Sequence, residues 1–229
     1  DDHLFRTVKV PGEVQLQIGL SGMDLYYQSK ALSLINQKEW WYRKQFKVGK
    51  QESGKLNRLM FDGVDYFATV WLNGKKLGTH EGAYVPFSFD VTDKLNYGGD
   101  NVLVVKVTCP WIPKGRSLLE YMKGNWTAVN AGDQLHIDKP PYFLGAYWDG
   151  TPNDGNATLP MGLSRNVKLV SSSFSVVEDA FVSTKSLNPN GSATLAISGT
   201  IGNFRNRDVK TELKLKISPE NFAGASLAL

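Results

Sequence analysis

The sequence predicts an all-β protein made of two successive β-sandwich domains. Many segments of the 229-residue chain alternate apolar and polar residues with period two, and turn-forming residues separate them. Strand segments follow one another without long intervening helices, which favours an all-β fold over an α/β fold. Apolar residues make up 41% of the chain, which is enough for packed cores.

The clearest strand of the first domain is "DYFATVWLNGKK", which begins at Asp65. It has apolar side chains on both faces, as expected of a central strand in a sandwich. Asn73-Gly74 then predicts a type I′ hairpin turn, because both residues tolerate positive φ. Further strands are predicted in "WWYRKQFKV", "KLNRLMFDGV", "PFSFDVT" and "NVLVVKVT". The segment "VPGEVQLQIGL" fits either a strand or a short helix.

Residues 110–162 break the strand pattern with a long run rich in aromatic, Pro, Gly, Asp and Asn residues. Loops longer than about 15 residues are usually functional or disordered, and the many aromatic residues argue against disorder. Aromatic rings cover the C–H face of a sugar, while polar side chains bond its hydroxyl groups. The alternative is that the rings fill a small core of the loop itself. The aromatic residues are Trp111, Tyr121, Trp126, Tyr142, Phe143, Tyr147 and Trp148.

A second domain follows the strand "SRNVKLVSSS", which closes the first. We therefore predict a first domain over residues 1–173 and a second over residues 174–229. The second contains three predicted strands, in "SVVEDAFVSTKS", "SATLAISGTI" and "DVKTELKLKIS". An immunoglobulin-like sandwich has about seven strands, so we expect a partial or abbreviated domain of that kind.

Charge and motif content argue against several functions. The net charge is +4, but the basic residues are scattered, which disfavours nucleic-acid binding. No apolar run approaches the ~20 residues of a membrane span. His3, His80 and His136 lack metal-ligand spacing, and Cys109 is the single cysteine. We expect no metal site and no cofactor.

Five segments of the chain form a recognisable series, namely "VPGEV" (10–14), "DLYY" (24–27), "WWYRKQF" (40–46), the block 59–92, and "MGLSRNVKLV" (161–170). Together they resemble the N-terminal sugar-binding domain of glycoside hydrolase family 2. The family includes β-galactosidases, β-glucuronidases, β-mannosidases and exo-β-glucosaminidases. In the closing segment, Ser164 replaces the Trp of the family pattern, and the long segment 110–162 looks more like the β-mannosidase and exo-β-glucosaminidase branch.

The resemblance implies a jelly-roll-like, galactose-binding-like sandwich, then an immunoglobulin-like sandwich, then a barrel carrying two catalytic glutamates. The acid/base glutamate follows an Asn in that family, and this chain contains no Asn-Glu dipeptide. We therefore expect no catalytic residue here. "YWDGTPND" stands where the family places a Trp-Asp stretch near the pocket. The expected substrate-binding residues are Trp148, Asp149, Asp154 and Trp126.

The resemblance also implies that "GTHEGAYVPF" is a structural corner where the chain crosses between sheets. Tyr84 is expected to pack beneath this corner. A functional role for His80 and Glu81 is the alternative.

The resulting hypothesis is a non-catalytic N-terminal portion of a retaining β-glycosidase, inactive alone. The alternatives are a free-standing carbohydrate-binding module and a structural or adhesive sandwich without a sugar site. The expected partners are a β-linked glycan and the remaining domains of the same polypeptide. The family suggests a periplasmic or extracellular location.

Overall fold

The computed structural model describes residues 4–18, 35, 38–108, 161–221 and 223–229. The chain divides into two compact units, residues 1–171 and 172–229. Strands dominate both units, which confirms the predicted all-β class.

The larger sheet of the first unit consists of β2 (Trp40–Lys47), β4 (Phe67–Leu72), β5 (Lys75–Glu81) and β7 (Asp100–Thr108). These four antiparallel strands have the order β2-β7-β4-β5. β4 lies between two neighbours, so the predicted central strand is confirmed. The predicted hairpin turn is also confirmed, because Asn73 has φ 51° and Gly74 has φ 78°, with Leu72 opposite Lys75.

The second sheet of this unit has three strands in the order β6-β3-β9. They are β3 (Leu56–Phe61), β6 (Phe87–Asp90) and β9 (Val167–Ser172). Short 3₁₀ turns at Lys50–Glu52 and Thr92–Lys94 flank β3 and β6.

Residues 82–86 connect β5 in one sheet to β6 in the other, as predicted for the corner. The expectation that Tyr84 packs beneath this corner is wrong, because Tyr84 is 48% exposed. Ala83, the preceding residue, is buried instead. The ring of His80 stacks on Phe87 with 3.9 Å between the ring centroids.

The core of the first unit lies between the facing sides of the two sheets. Phe61 is fully buried, stacks on Phe87 at 4.7 Å and meets Phe89 edge-on at 6.4 Å. The inward residues of β4 and β7 complete this core, as period-two alternation requires. They are Ala68, Val70, Leu72, Leu103, Val105 and Val107.

The segment that fitted either a strand or a helix contains both. β1 (Gly12–Glu13) is followed at once by α1 (Val14–Gln17), a single helical turn. β1 pairs with β8 (Gly162–Leu163). A single helical turn is not stable by itself. Val14 and Gln15 are buried, so packing against neighbouring residues stabilises this turn.

The second unit contains a long hairpin of β10 (Ser175–Leu187) and β11 (Ala193–Asn203). A smaller pair joins β12 (Lys216–Ile217) to β13 (Leu227–Ala228). The strand predicted over "DVKTELKLKIS" is therefore largely wrong, since only Lys216–Ile217 belong to a strand. Val209 and Leu213 are 38% and 60% exposed, so no layer among the described residues covers the apolar side of this segment.

No helix in the described part of the chain has the length and apolar character that a membrane crossing requires.

Candidate functional site

All four predicted substrate-binding residues, Trp126, Trp148, Asp149 and Asp154, fall within residues 109–160, outside the described residues. The described residues on either side of this segment lie beside a polar surface of the first unit.

The described residues on either side of the segment 109–160 lie at one end of the sandwich. Thr108, the last residue of β7, lies opposite Phe67 at the start of β4. On the return, Gly162 exchanges two backbone hydrogen bonds with Asp65, at 2.7 and 2.8 Å. Because Asp65 and Phe67 are two residues apart, both ends of the segment meet the same short stretch of chain. We call this place, residues 65–67 with Thr108 and Gly162, the loop end.

The return point is tightly held. The N–H of Val14 donates to the carbonyl of Met161 at 2.8 Å, and Met161 is fully buried. Gly162 has φ 138°, and a Cβ there would lie 2.7 Å from the hydroxyl oxygen of Tyr42. Burial raises the pKa of Tyr42 to about 12, against the effect of a hydrogen bond from the backbone of Leu163. Just after residues 109–160, the described chain therefore passes through a position, Gly162, that has no room for a side chain.

A polar depression of about 450 Å³ lies in the same unit. The Nζ of Lys168 is 2.6 Å from Oδ2 of Asp62, and this hydrogen bond lowers the pKa of the Asp62 carboxyl. The N–H of Arg165 donates to the carbonyl of Gly63 at 3.2 Å. This hydrogen bond joins the residues just before β9 to the residues just after β3. The lining residues are Pro11, Asp62, Pro86, Ser164, Arg165 and Asn166.

The side chain of Arg165 connects this depression to the corner. A Cβ at Gly63 would lie 3.1 Å from Cδ of Arg165 and 2.9 Å from the carbonyl oxygen of Ala83. Burial raises the pKa of Tyr84, and the negative charges of Asp65 and Glu13 raise it further, whereas Arg165 lowers it. A half-exposed phenol, two carboxylates and a guanidinium therefore share one electrostatic neighbourhood beside the loop end. Of these groups, the half-exposed hydroxyl of Tyr84 can bond a hydroxyl group of a ligand as donor or acceptor, whereas Asp65 is buried.

Sequence reasoning did not single out Asp62 or Arg165 as site residues. Both stand in segments that carried the resemblance, Asp62 in "FDG" and Arg165 in "LSRN". A charged residue at the end of an apolar strand was the available signal. Their proximity depends on contacts between β3 and β9, which are far apart in sequence.

The side chain of His80 has a structural role in this region. Its ring stacks on Phe87, and burial lowers the pKa of His80. The neutral imidazole therefore packs as an apolar ring. Across the described residues, no group of three or more His, Cys, Asp or Glu side chains is arranged to hold a metal ion.

Comparison with known proteins places these features in a family. Residues 1–165 match the family model described as glycosyl hydrolase 2 galactose-binding domain-like. A β-galactosidase from Thermoanaerobacter pseudethanolicus is 41% identical over 86 residues, which is 36% of this chain and 12% of that protein. A β-mannosidase B from Aspergillus clavatus is 31% identical over 137 residues, which is 59% of this chain and 15% of that protein.

A solved structure is also similar to this chain. The β-D-mannosidase from Dictyoglomus thermophilum is similar with a TM-score of 0.62 and 28% identity, over 86% of this chain and 24% of that one. The chain thus spans 12% and 15% of the length of the two curated relatives above. Since the family model covers most of the chain, from residue 1 to residue 165, the protein belongs to glycoside hydrolase family 2 through its galactose-binding-like N-terminal domain.

Proposed function

We propose that this chain is the non-catalytic N-terminal portion of a retaining β-glycosidase, and that residues 109–160 line the sugar pocket of the parent enzyme. One observation carries the proposal: both ends of that segment meet at the loop end, against Asp65 and Phe67. Family membership supports the link to hydrolysis of O-glycosidic bonds.

Anchoring at both ends has an energetic consequence. Thr108 ends a strand that pairs with β2 on one side and β4 on the other, while Gly162 lies opposite Glu13 and exchanges two backbone hydrogen bonds with Asp65. A binding segment held at two close points loses less conformational entropy on ligand binding than a free one. The proposed roles follow from side-chain chemistry. The ring of Trp148 covers the C–H face of a sugar, and Asp149 and Asp154 accept hydrogen bonds from its hydroxyl groups. Trp126 provides a second ring.

The chemical step belongs to another part of the parent polypeptide. In a retaining glycosidase, two carboxylates about 5 Å apart perform a two-step displacement through a glycosyl-enzyme intermediate. The relatives are named as β-galactosidase, β-glucuronidase and β-mannosidase, so the sugar class proposed here is a β-linked glycoside without a chosen epimer. Export to the periplasm or the exterior is part of the proposal, and cell fractionation checks it.

The decisive experiment uses the parent enzyme with Trp148→Ala and Asp149→Asn. We expect kcat/KM on aryl β-glycosides to fall about 10- to 100-fold, since sugar contacts of this kind contribute about 1–3 kcal/mol each. Trp41→Ala is the matched control, because Trp41 is an aromatic residue on the solvent-facing side of the sheet and is 47% exposed. Unchanged kinetics in both site variants would contradict the proposal.

The isolated chain provides the second arm of the test. It should cleave no aryl β-glycoside, and calorimetry should detect only weak sugar binding. Cleavage that disappears on mutating one of its own carboxylates would refute the non-catalytic assignment. Tight binding that depends on Trp148 would instead identify a free-standing carbohydrate-binding module.

A further inference from the structure

The solvent side of the four-stranded sheet carries two tryptophans. Inward residues of β4 and β7 are buried, so Thr69 and Trp71 on β4 and Val104 and Lys106 on β7 point outward. Residues opposed in an antiparallel pair share a face, which places Trp41 outward with Lys106. We call this surface, built on Trp41, Arg43, Thr69, Trp71, Lys76, Val104 and Lys106, the outer face.

The two tryptophans stack across β7. Their ring centroids are 5.4 Å apart with an interplanar angle of 25°. Trp41 is nevertheless 47% exposed, which is a large apolar area to leave in water. The Nζ of Lys106 lies 5.8 Å from the centre of the Trp41 ring and is 2.8 Å from Oε1 of Glu39. The stack is therefore fixed in orientation while much of Trp41 stays accessible.

Positive charge surrounds this stack. Strand register aligns Arg43, Val104, Trp71 and Lys76 in one row across the sheet. With strands about 4.8 Å apart, the row is about 14 Å long and has a cation at each end. Glu39 offsets part of the charge of Lys106, while Glu81 and Asp100 lie at the far corners of the face.

We propose that the outer face binds an acidic polysaccharide, such as a polyuronate chain. The exposed part of Trp41 covers a sugar ring, and the carboxylates of the chain meet Lys76. A flat row of this length suits an extended polymer better than a single sugar. A saccharide is favoured over other polyanions because the chain belongs to a glycosidase family and because a rigid aromatic surface matches the C–H face of a pyranose. The proposal uses no residue of the loop end or of residues 109–160, so it stands independently of the proposed pocket.

The test is affinity electrophoresis and calorimetry of the 229-residue chain with polygalacturonate, with neutral xylan, poly-glutamate and oligo-dT as comparison polymers. We expect salt-dependent binding to polygalacturonate that weakens at least about 10-fold in Trp41→Ala, which leaves net charge unchanged. Lys76→Gln should weaken binding about 3- to 10-fold. Lys210→Gln makes the same charge change in the second unit and should have no effect. Trp41→Phe keeps a ring and should retain most of the affinity.

Several outcomes would overturn the proposal. Equal binding of wild type and Trp41→Ala would reveal simple ion exchange by a basic protein. Equal binding of poly-glutamate with the same dependence on Trp41 would identify an acidic protein as the partner, and equal binding of oligo-dT would identify a nucleic acid. Absence of polygalacturonate binding would reject it outright. If circular dichroism shows that Trp41→Ala does not fold, the comparison of Lys76→Gln with Lys210→Gln becomes the test. Equal binding of polygalacturonate by these two variants would then overturn the proposal.

Discussion

Gly162→Ala tests whether the return point of residues 109–160 depends on the absence of a side chain. At φ 138°, an L-residue pays about 1–3 kcal/mol of backbone strain. An ideal Cβ would also lie 2.7 Å from the hydroxyl oxygen of Tyr42 and 3.0 Å from the carbonyl oxygen of Gly12. Overpacking of this kind costs about 1–3 kcal/mol. The free energy of unfolding should therefore fall by about 2–6 kcal/mol in total.

The assay is urea unfolding followed by tryptophan fluorescence. All six tryptophans lie before residue 172, so the signal reports the first unit. Gly54→Ala is the matched control, since Gly54 has φ 82° and a Cβ there would have no neighbour within 4 Å. Gly54→Ala should lower the free energy of unfolding only by the backbone strain. Gly162→Ala should lower it by about 1–3 kcal/mol more.

A double-mutant cycle separates the two contributions. Tyr42→Phe removes the oxygen closest to the added Cβ, so the pair Gly162→Ala with Tyr42→Phe should lose less stability than the sum of the single changes. Equal losses in Gly162→Ala and Gly54→Ala, or strict additivity of the pair, would refute the assignment of steric overlap at the return point.

Two pH dependences follow from the shifted pKa values. The pKa of Tyr42 is raised to about 12, so above about pH 10 the unfolded chain ionises first, and the first unit should lose stability as the pH rises from about 10 to 12. Tyr42→Phe should remove that loss in urea titrations at each pH. The pKa of His80 is lowered, so the unfolded chain takes up a proton first as the pH falls below about 6.5. The melting temperature should then drop more in wild type than in His80→Gln between about pH 8 and pH 5; equal drops would show that His80 does not titrate in this way.

Much of the first unit could be predicted because its signals are local. The apolar residues on both faces of β4 indicated a central strand, and Asn73-Gly74 indicated where the chain turns. The strand predicted over "DVKTELKLKIS" shows the limit of such signals. Its apolar and polar residues alternate regularly, but alternation stabilises a strand only where another layer covers the apolar side.

The candidate site could be predicted only in part. Composition identified residues 110–162 as the unusual segment. The pairing of Phe67 with Thr108 and of Asp65 with Gly162 is what brings together the described residues on either side of residues 109–160. Each pairing joins residues that are far apart in sequence, so no short sequence pattern predicts it. The burial predicted for Tyr84 was wrong because the sequence pattern does not state which residue of the corner is buried. Ala83 is buried there, and the ring of His80 stacks on Phe87.

The hairpin of the second unit has one apolar face in contact with water. Val177 is opposite Ile201 and Val182 is opposite Ile197, and these side chains point to the same face. The exposed fractions of the apolar residues on this face are 52% for Val177, 58% for Val182, 79% for Leu187, 41% for Leu195, 39% for Ile197 and 45% for Ile201.

Covering this face would contribute about 6 kcal/mol, at about 1 kcal/mol for each half-exposed side chain, whereas a two-stranded ribbon alone is marginally stable. We propose that residues 174–229 belong to an immunoglobulin-like sandwich whose further strands, in the parent protein, cover this face. The isolated chain should then bind a dye specific for exposed apolar surface, and Val182→Lys with Ile197→Lys should abolish the binding. Ser183→Lys with Ser198→Lys alters the opposite face of the same strands and should leave the dye bound. Equal dye binding by both pairs of variants would show that this face is not the surface awaiting a second layer.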